Sequence, residues 1–364
     1  MIHKNRLQRL QQSMAAQKLD LLLVTHLANV RYLCRFTGSA GALLVSNKGV
    51  HLFTDGRYTT QAREEVKAAR VVIAKKAPLL AAGEWISSHR KAARGLTIGI
   101  EGDHMTVAER VRFHETLPAE ARIRAVSPLV EPLRLVKDRD EIDLLRAAVL
   151  MGAGLFEVAL KSIRPGVREL EVAAEMEYAA RRAGADAMSF ETIIASGERS
   201  ALPHGRASQA VIPADGFVVC DFGVILSGYC SDMTRTVYVG RPSLEAREFY
   251  GAVKAAQLAA VAAVAPGVST GDIDQAARKV LQQKGLGRFF THSTGHGVGL
   301  EIHEAPRVAT GQKDILQPGM IITVEPGAYI SGRWGVRIED MLVVTESGCE
   351  VLTPTSKDLI ALDS

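Results

Sequence analysis

Two stretches decide how this chain is read: FVVCDFGVILSGYCSDMTRTVYVG at residues 217–240 and GMIITVEPGAYISGRWGVRIEDMLVV at residues 319–344. Each alternates apolar and polar side chains about a glycine-bearing turn, the pattern of an antiparallel strand pair. A first turn centred between Leu226 and Ser227 sets Asp221 opposite Asp232, and a second centred on Gly332 sets Glu325 opposite Glu339. Opposed side chains have Cβ atoms about 4.5–5.5 Å apart, and like charges there are destabilising. Two full charges at 4 Å repel by about 4 kcal/mol in a surface-like dielectric. A positive partner is therefore expected. Four carboxylates on rigid strands form an oxygen-rich cage for divalent cations, and one imidazole, for which His296 is the candidate, turns it toward transition metals.

Taken singly, none of these residues is decisive. A strand Asp beside a turn is ordinarily solvated or bonded to that turn, and a lone His is ordinarily a satisfied surface or core group. The paired arrangement carries the metal reading. Of ten histidines, the four beyond residue 132 (His204, His292, His296 and His303) all sit in Gly- or Pro-marked text, in LPHG and FFTHSTGHGVGLEIHEAP. Glycines between them allow the backbone to approach a ligand closely. Cys220 and Cys230 alternate with the two aspartates and are read as core thiols on the other face.

Outward from these strands lie long Ala-rich helical stretches at about 139–163, 168–184, 243–265 and 270–284. Helices outside and antiparallel strands inside make an α+β domain over residues 133–364. Residues 1–132 read differently. There LDLLLV, GALLVS, HLFTD, VVIA and LTIGIEG alternate with helical QAREEVKAA and a helix near Glu84 to Ala93, giving a smaller mixed α/β domain. The boundary falls near residue 132, where PLVEPLRLVKDRDEI brings prolines and a charge cluster before an acidic helix start.

The bulk numbers exclude several classes. With 47% hydrophobic and 23% charged residues over 364 positions, disorder is a poor reading. The excess of 44 basic over 40 acidic residues is small, with no dense basic run, so no nucleic-acid partner is expected. The most apolar later stretch, Leu258 to Ala265, is short and stops at Pro266, so no membrane span is expected either. The first residues mix charge throughout and lack a signal-like apolar run, and four cysteines form no CxxC pair. A cytoplasmic protein is expected.

The stretches VVCDFG, CSDMTRT, STGHGVG, TVEPG and VRIED resemble those of the M24 metallopeptidase family, which contains methionine aminopeptidase, Xaa-Pro aminopeptidase and prolidase. The resemblance implies a pita-bread catalytic domain. It also implies five ligands, Asp221, Asp232, His296, Glu325 and Glu339, holding two divalent ions, manganese first, with cobalt or zinc as alternatives. SALPHG, THSTGHG, IHEAP and GVRIED are similar to the proline-directed branch, and the first domain is similar to the creatinase/prolidase N-terminal domain. FTGSAG and FTDGRY in that domain point to a Xaa-Pro aminopeptidase, with a Xaa-Pro dipeptidase as the alternative. Remoter alternatives are a metal-free creatinase-like hydrolase and a non-catalytic binding module.

The roles follow from the cage and the resemblance. Glu325 is the candidate proton shuttle; His204 and His303 contact the scissile carbonyl and the intermediate, and His292 the substrate. Arg337 and Glu339, two apart on one strand, share a face, so the guanidinium can orient a ligating carboxylate. The resemblance extends this to a chain from Tyr329 through Arg337 to Asp221, and offers Arg307 for a substrate carboxylate. Expected partners are short proline-containing peptides and a second copy of the chain in a homodimer.

Overall fold

The structure, a computed structural model, describes residues 2–89 and 95–363, which fall into two compact units, Met1–Arg134 and Leu135–Ser364. The first unit is built on β1 (Leu21–Val24), β2 (Gly41–Ser46), β3 (Gly49–Asp55), β4 (Arg70–Ala74), β5 (Thr97–Glu101) and β6 (Arg122–Val126). Their order is β4-β3-β2-β1-β5-β6, with β1 antiparallel to β2 and parallel to β5. The all-apolar β1 is buried at every position, as a central strand covered on both faces requires.

Helices α1 (Ile2–Ala16), α2 (Leu27–Cys34), α3 (Thr59–Glu65), α4 (Pro78–His89), α5 (Val107–Glu115) and the single turn α6 (Glu131–Arg134) complete this unit. The expected helix from Glu84 to Ala93 begins earlier, at Pro78, and its residues 90–93 lie outside the described residues. The helices α1, α2 and α5 and the single turn α6 went unread in the sequence. In α1 the buried Leu7, Leu10 and Met14 form one narrow stripe between charged residues, a weak periodic signal.

In the second unit, α7 (Arg139–Ser162), α8 (Glu169–Arg182), α9 (Leu244–Ala263) and α10 (Thr270–Gln283) follow the expected ranges to within two residues. Side-chain caps define three of the starts: Asp138, Ser243 and Ser269 accept from the backbone N–H of Glu141, Ala246 and Asp272. The strands are β7 (Ala187–Met188), β8 (Ile193–Ser196), β9 (Gly216–Phe222), β10 (Val224–Leu226), β11 (Tyr229–Cys230), β12 (Met233–Val239) and β13 (Gly295–Gly297). They continue with β14 (Glu304–Val308), β15 (Ile321–Val324), β16 (Gly327–Ile330), β17 (Trp334–Arg337), β18 (Asp340–Val344), β19 (Cys349–Val351) and β20 (Ala361–Leu362). Side chains of α7 and α8, among them Phe156 and Met176, share a core with Val218 and Phe222 of β9. Those of α9 and α10, among them Val253 and Leu281, share another with Ile322, Val336 and Leu342. Helices lie outside and strands inside, the α+β arrangement expected.

The first strand pair differs from its sequence reading in register. Asp221 lies opposite Thr234, not Asp232, and Leu226 lies opposite Tyr229, so the turn is Ser227-Gly228. Both turn residues have positive φ, 48° and 78°, as a two-residue turn matched to strand twist requires. Moving the turn by one residue moves each partner by two, and a two-residue shift leaves every side chain on its original face. In the second pair Val324 opposes Asp340 and Gly327 opposes Arg337, which centres the turn on Gly332 and brackets Glu325 and Glu339 as expected.

Candidate metal centre

Strand ends carry the acidic groups into one place. Asp221 is the penultimate residue of β9, Asp232 immediately precedes β12, Glu325 follows β15 and Glu339 precedes β18, while His296 is the middle residue of β13. All five line a single cavity of about 750 Å³, and ligand atoms of Asp232, His296 and Glu339 lie within 4.8 Å of one another. His296 Nε2 stands 3.6 Å from both Asp232 Oδ2 and Glu325 Oε1. Its Nδ1 is 3.0 Å from the Gly297 carbonyl; donation there leaves Nε2 as a lone-pair acceptor facing the carboxylates. The glycines beside it serve neighbouring strands rather than a ligand. A Cβ on Gly295 would lie 2.0 Å from the Thr323 carbonyl oxygen, and one on Gly297 would lie 2.1 Å from that of Ala305.

Arg337 is buried and divides its donors. It donates through NH2 to Asp221 Oδ2 at 2.6 Å, through NH1 to the Tyr329 hydroxyl at 2.7 Å, and through Nε to Thr234 Oγ1 at 3.1 Å. Thr234 in turn donates to Glu339 Oε2 at 2.7 Å. One guanidinium cannot neutralise four carboxylates. Asp221 Oδ1, Asp232 Oδ1 and Glu339 Oε1 are buried with no hydrogen-bond partner among the described residues. Orphaned carboxylate oxygens converging on an unprotonated imidazole nitrogen fit divalent cations, which require oxygen and nitrogen donors free of protons.

The electrostatics agree with that fit. Burial, then the neighbouring Glu339, Asp221 and Glu325, holds the Asp232 carboxyl well above the usual range, and burial with Glu325 does the same to Glu339. Burial pushes Glu325 up to about 8 and pulls His296 down to about 4. Without metal, then, Glu325 holds its proton at neutral pH, Asp232 and Glu339 are shifted in the same direction, and His296 is neutral. Carboxyl groups with raised folded values stabilise the metal-free fold at low pH, and that contribution is lost as pH rises through about 8. Metal binding must displace those protons. Calorimetric titration with Mn²⁺ is expected to show proton release and an affinity that climbs from about pH 6 to about pH 8. A pH-independent affinity without proton release would show the carboxylates to be ionised already.

Residues 143–346 match the metallopeptidase family M24, and residues 6–136 match the creatinase/prolidase N-terminal domain. The chain belongs to metallopeptidase family M24. This M24 chain is 36% identical to the Xaa-Pro dipeptidase of Pyrococcus furiosus, over 98% of its own length and 100% of the relative's. Among solved structures it resembles the Xaa-Pro dipeptidase from Bacillus anthracis, with 41% identity and a TM-score of 0.94 over 99% of this chain and 100% of that one. It is also similar to the X-Pro aminopeptidase from Thermotoga maritima, with 34% identity and a TM-score of 0.88 over 98% and 99% of the two chains. The second unit is thus an M24 pita-bread domain, and the first unit carries the creatinase/prolidase N-terminal domain.

The M24 cavity also gathers His204, His292, His303 and Arg307. His303 packs edge-on to His296 with ring centroids 4.4 Å apart, and Arg307 sits opposite His296 on β14. His292, pulled down to about 4 by burial and by Arg337, is neutral at physiological pH. Its Nδ1 lies 2.8 Å from the Ser293 carbonyl and its Nε2 2.9 Å from the Tyr329 hydroxyl. Tyr329 alone among the sequence candidates does not line the cavity; it stands behind His292 and Arg337. Sequence reasoning missed Phe190, Glu191 and Arg206 in the wall, where Arg206 and Glu191 form an exposed 2.8 Å ion pair. It also missed Lys137, whose buried ammonium holds Glu304 at 3.2 Å beside His303. A contact spanning 167 residues leaves no local signal.

Proposed function

We propose that the chain hydrolyses the bond between a residue and a following proline, with Xaa-Pro dipeptides as its first substrates. The observation that carries a metal-dependent reading is the set of orphaned oxygens on Asp221, Asp232 and Glu339 facing His296. A metal-free creatinase-like hydrolase or a binding module has no use for that costly cluster. Asp221, Asp232, His296, Glu325 and Glu339 are the residues to hold two divalent ions, manganese first given four carboxylates to one imidazole. When bound, the ions supply Lewis acidity and an activated water.

The chain's own groups do the rest. Glu325 keeps 17% of its side chain exposed, against 13% for Asp221 and 6% for Asp232, so it is the carboxylate best placed to exchange protons with the cavity. It accepts the proton of the attacking water and delivers it to the prolyl nitrogen, which carries no hydrogen in the bond and leaves poorly unless protonated. Arg337 fixes Asp221. His204 and His303 hold the scissile carbonyl oxygen, and neutral His292, set by Tyr329, contacts the substrate beside them. His204→Ala and His303→Ala are each expected to lower kcat by about 10²-fold, the scale of one lost oxyanion donor. Mn²⁺ content, measured by elemental analysis, should remain that of the wild type. Loss of metal in His204→Ala would move that residue into the cage.

Dipeptides take precedence over longer peptides. The aminopeptidase reading rested on FTGSAG and FTDGRY in the first domain, and the Xaa-Pro dipeptidases among the relatives favour the alternative. Arg307 supports it independently: exposed to the cavity, it has no acidic partner among the described residues. A free guanidinium there suits the carboxylate that follows proline in a dipeptide. Ala-Pro, Ala-Pro-Ala and Ala-Ala-Ala, assayed together with Mn²⁺, test the reading. Cleavage of Ala-Pro with Ala-Ala-Ala intact is expected; equal cleavage of Ala-Ala-Ala would remove proline from the specificity.

A further inference from the structure

Behind the cavity, on α10, lies a pair that neither the metal cage nor the substrate groups include. Asp274 is buried, with 1% exposure, and Arg278 follows one helical turn later. Neither lines the catalytic cavity. Their bonds converge on the segment that carries His292 and His296. Arg278 donates through NH1 to the Phe290 carbonyl at 3.1 Å and through NH2 to the His292 carbonyl at 2.6 Å, with its Cζ 4.2 Å from the centroid of the Phe290 ring. Its Nε donates to Asp274 Oδ2 at 2.7 Å. Asp274 also accepts from Thr310 Oγ1 and, through Oδ1, from Thr294 Oγ1, both at 2.7 Å. The Thr294 carbonyl accepts the backbone N–H of Glu325 at 2.7 Å.

From this geometry we infer that Asp274 and Arg278 form a positioning clip that holds the 290–296 segment from α10, and so sets His292, His296 and, through Thr294, Glu325. A planar fork with fixed donor directions is what the carbonyls of Phe290 and His292 and a carboxylate together require, and a lysine cannot reproduce it. The irregular backbone from Phe290 to Ser293 precedes β13, so its carbonyls have no strand partner to orient them. A buried carboxylate with all its partners in place is rigid, and that rigidity passes to the groups it anchors. The far side of the clip opens on a second cavity of about 540 Å³, lined by Asp274, Arg278 and Thr310. A small planar cation can therefore reach the place of a truncated Arg278.

The clip rests on the metal-centre reading above, and its test separates the two. Wild-type protein and Arg278→Ala are stripped of metal and titrated with Co²⁺ by its visible absorption, and Ala-Pro hydrolysis is followed in parallel. Loss of outer partners of metal ligands costs about 10–100-fold in affinity or rate. Arg278→Ala is expected to show losses of that size in both, and free guanidinium well below denaturing levels is expected to restore part of each. Wild-type cobalt affinity and rate in the variant, or losses in a folded variant that guanidinium leaves untouched, overturn the clip. If the alanine variant does not fold, Arg278→Lys replaces it: the ammonium keeps the ion pair with Asp274 but not both carbonyls, so losses are expected, and wild-type behaviour overturns the proposal. Wild-type protein that binds cobalt but leaves Ala-Pro intact would refute the peptidase reading while the titration still tests the clip.

Discussion

Glu325→Gln is expected to lower hydrolysis of Ala-Pro by about 10²–10⁴-fold, the range for a lost general acid–base group, while the metal-free protein becomes more stable at alkaline pH. The two halves share one cause. Glutamine keeps the volume and one acceptor but cannot take a proton, so the shuttle to the prolyl nitrogen is gone. It also cannot ionise. In the wild type, burial holds the Glu325 carboxyl up to about 8, so above that pH a charge is forced into a cluster already crowded by Asp221, Asp232 and Glu339. Each pH unit by which a carboxyl is raised above its unfolded value is about 1.4 kcal/mol lost on ionisation. The glutamine variant escapes this loss. Thermal unfolding of both metal-free proteins at about pH 5 and about pH 8 reads it, because the unfolded carboxyl ionises above its ordinary value of 4.5 while the folded one keeps its proton up to about 8, so the variant gains on the wild type across that window. Near-wild-type turnover with full metal occupancy would remove Glu325 from the chemistry. Equal stability at both pH values would show that its charge is compensated in the metal-free fold.

The second large effect is at Arg307. A dipeptide presents its carboxylate immediately after proline, and a charge-assisted hydrogen bond to it is worth about 1.5–3 kcal/mol. Arg307→Ala is therefore expected to raise KM for Ala-Pro by about 10–100-fold, leaving kcat within a few-fold, because the bond is made equally in ground and transition states. For Ala-Pro-Ala the carboxylate lies one residue farther, and the change should be small. Steady-state kinetics on both peptides decides. A variant that loses both substrates alike would put Arg307 outside carboxylate recognition and restore the aminopeptidase reading of the first domain.

What the sequence made legible, and what it did not, follows from the range of the interactions. The four long helices of the second unit repeat apolar residues over many turns and three of them begin on capping residues, so local text marks them. The carboxylates share a cavity because parity along a strand survives an error in the turn; the first hairpin was misplaced by one residue, yet Asp221 and Asp232 kept their face. Ser227-Gly228 was the hidden feature, because a serine at positive φ carries no sign in the sequence. Lys137 with Glu304, and Arg278 with the carbonyls of Phe290 and His292, were unreadable for another reason. Their partners are distant or are backbone atoms, and in the text Asp274 and Arg278 look like any surface pair one helical turn apart.

The most direct test of the account is a metal titration of activity. Protein stripped with chelator is given Mn²⁺ in increments, and Ala-Pro hydrolysis is recorded against equivalents bound per chain. The account predicts no turnover in the stripped protein and a rise that saturates as the second equivalent fills the cage of Asp221, Asp232, His296, Glu325 and Glu339. Full hydrolysis by metal-free protein would contradict it.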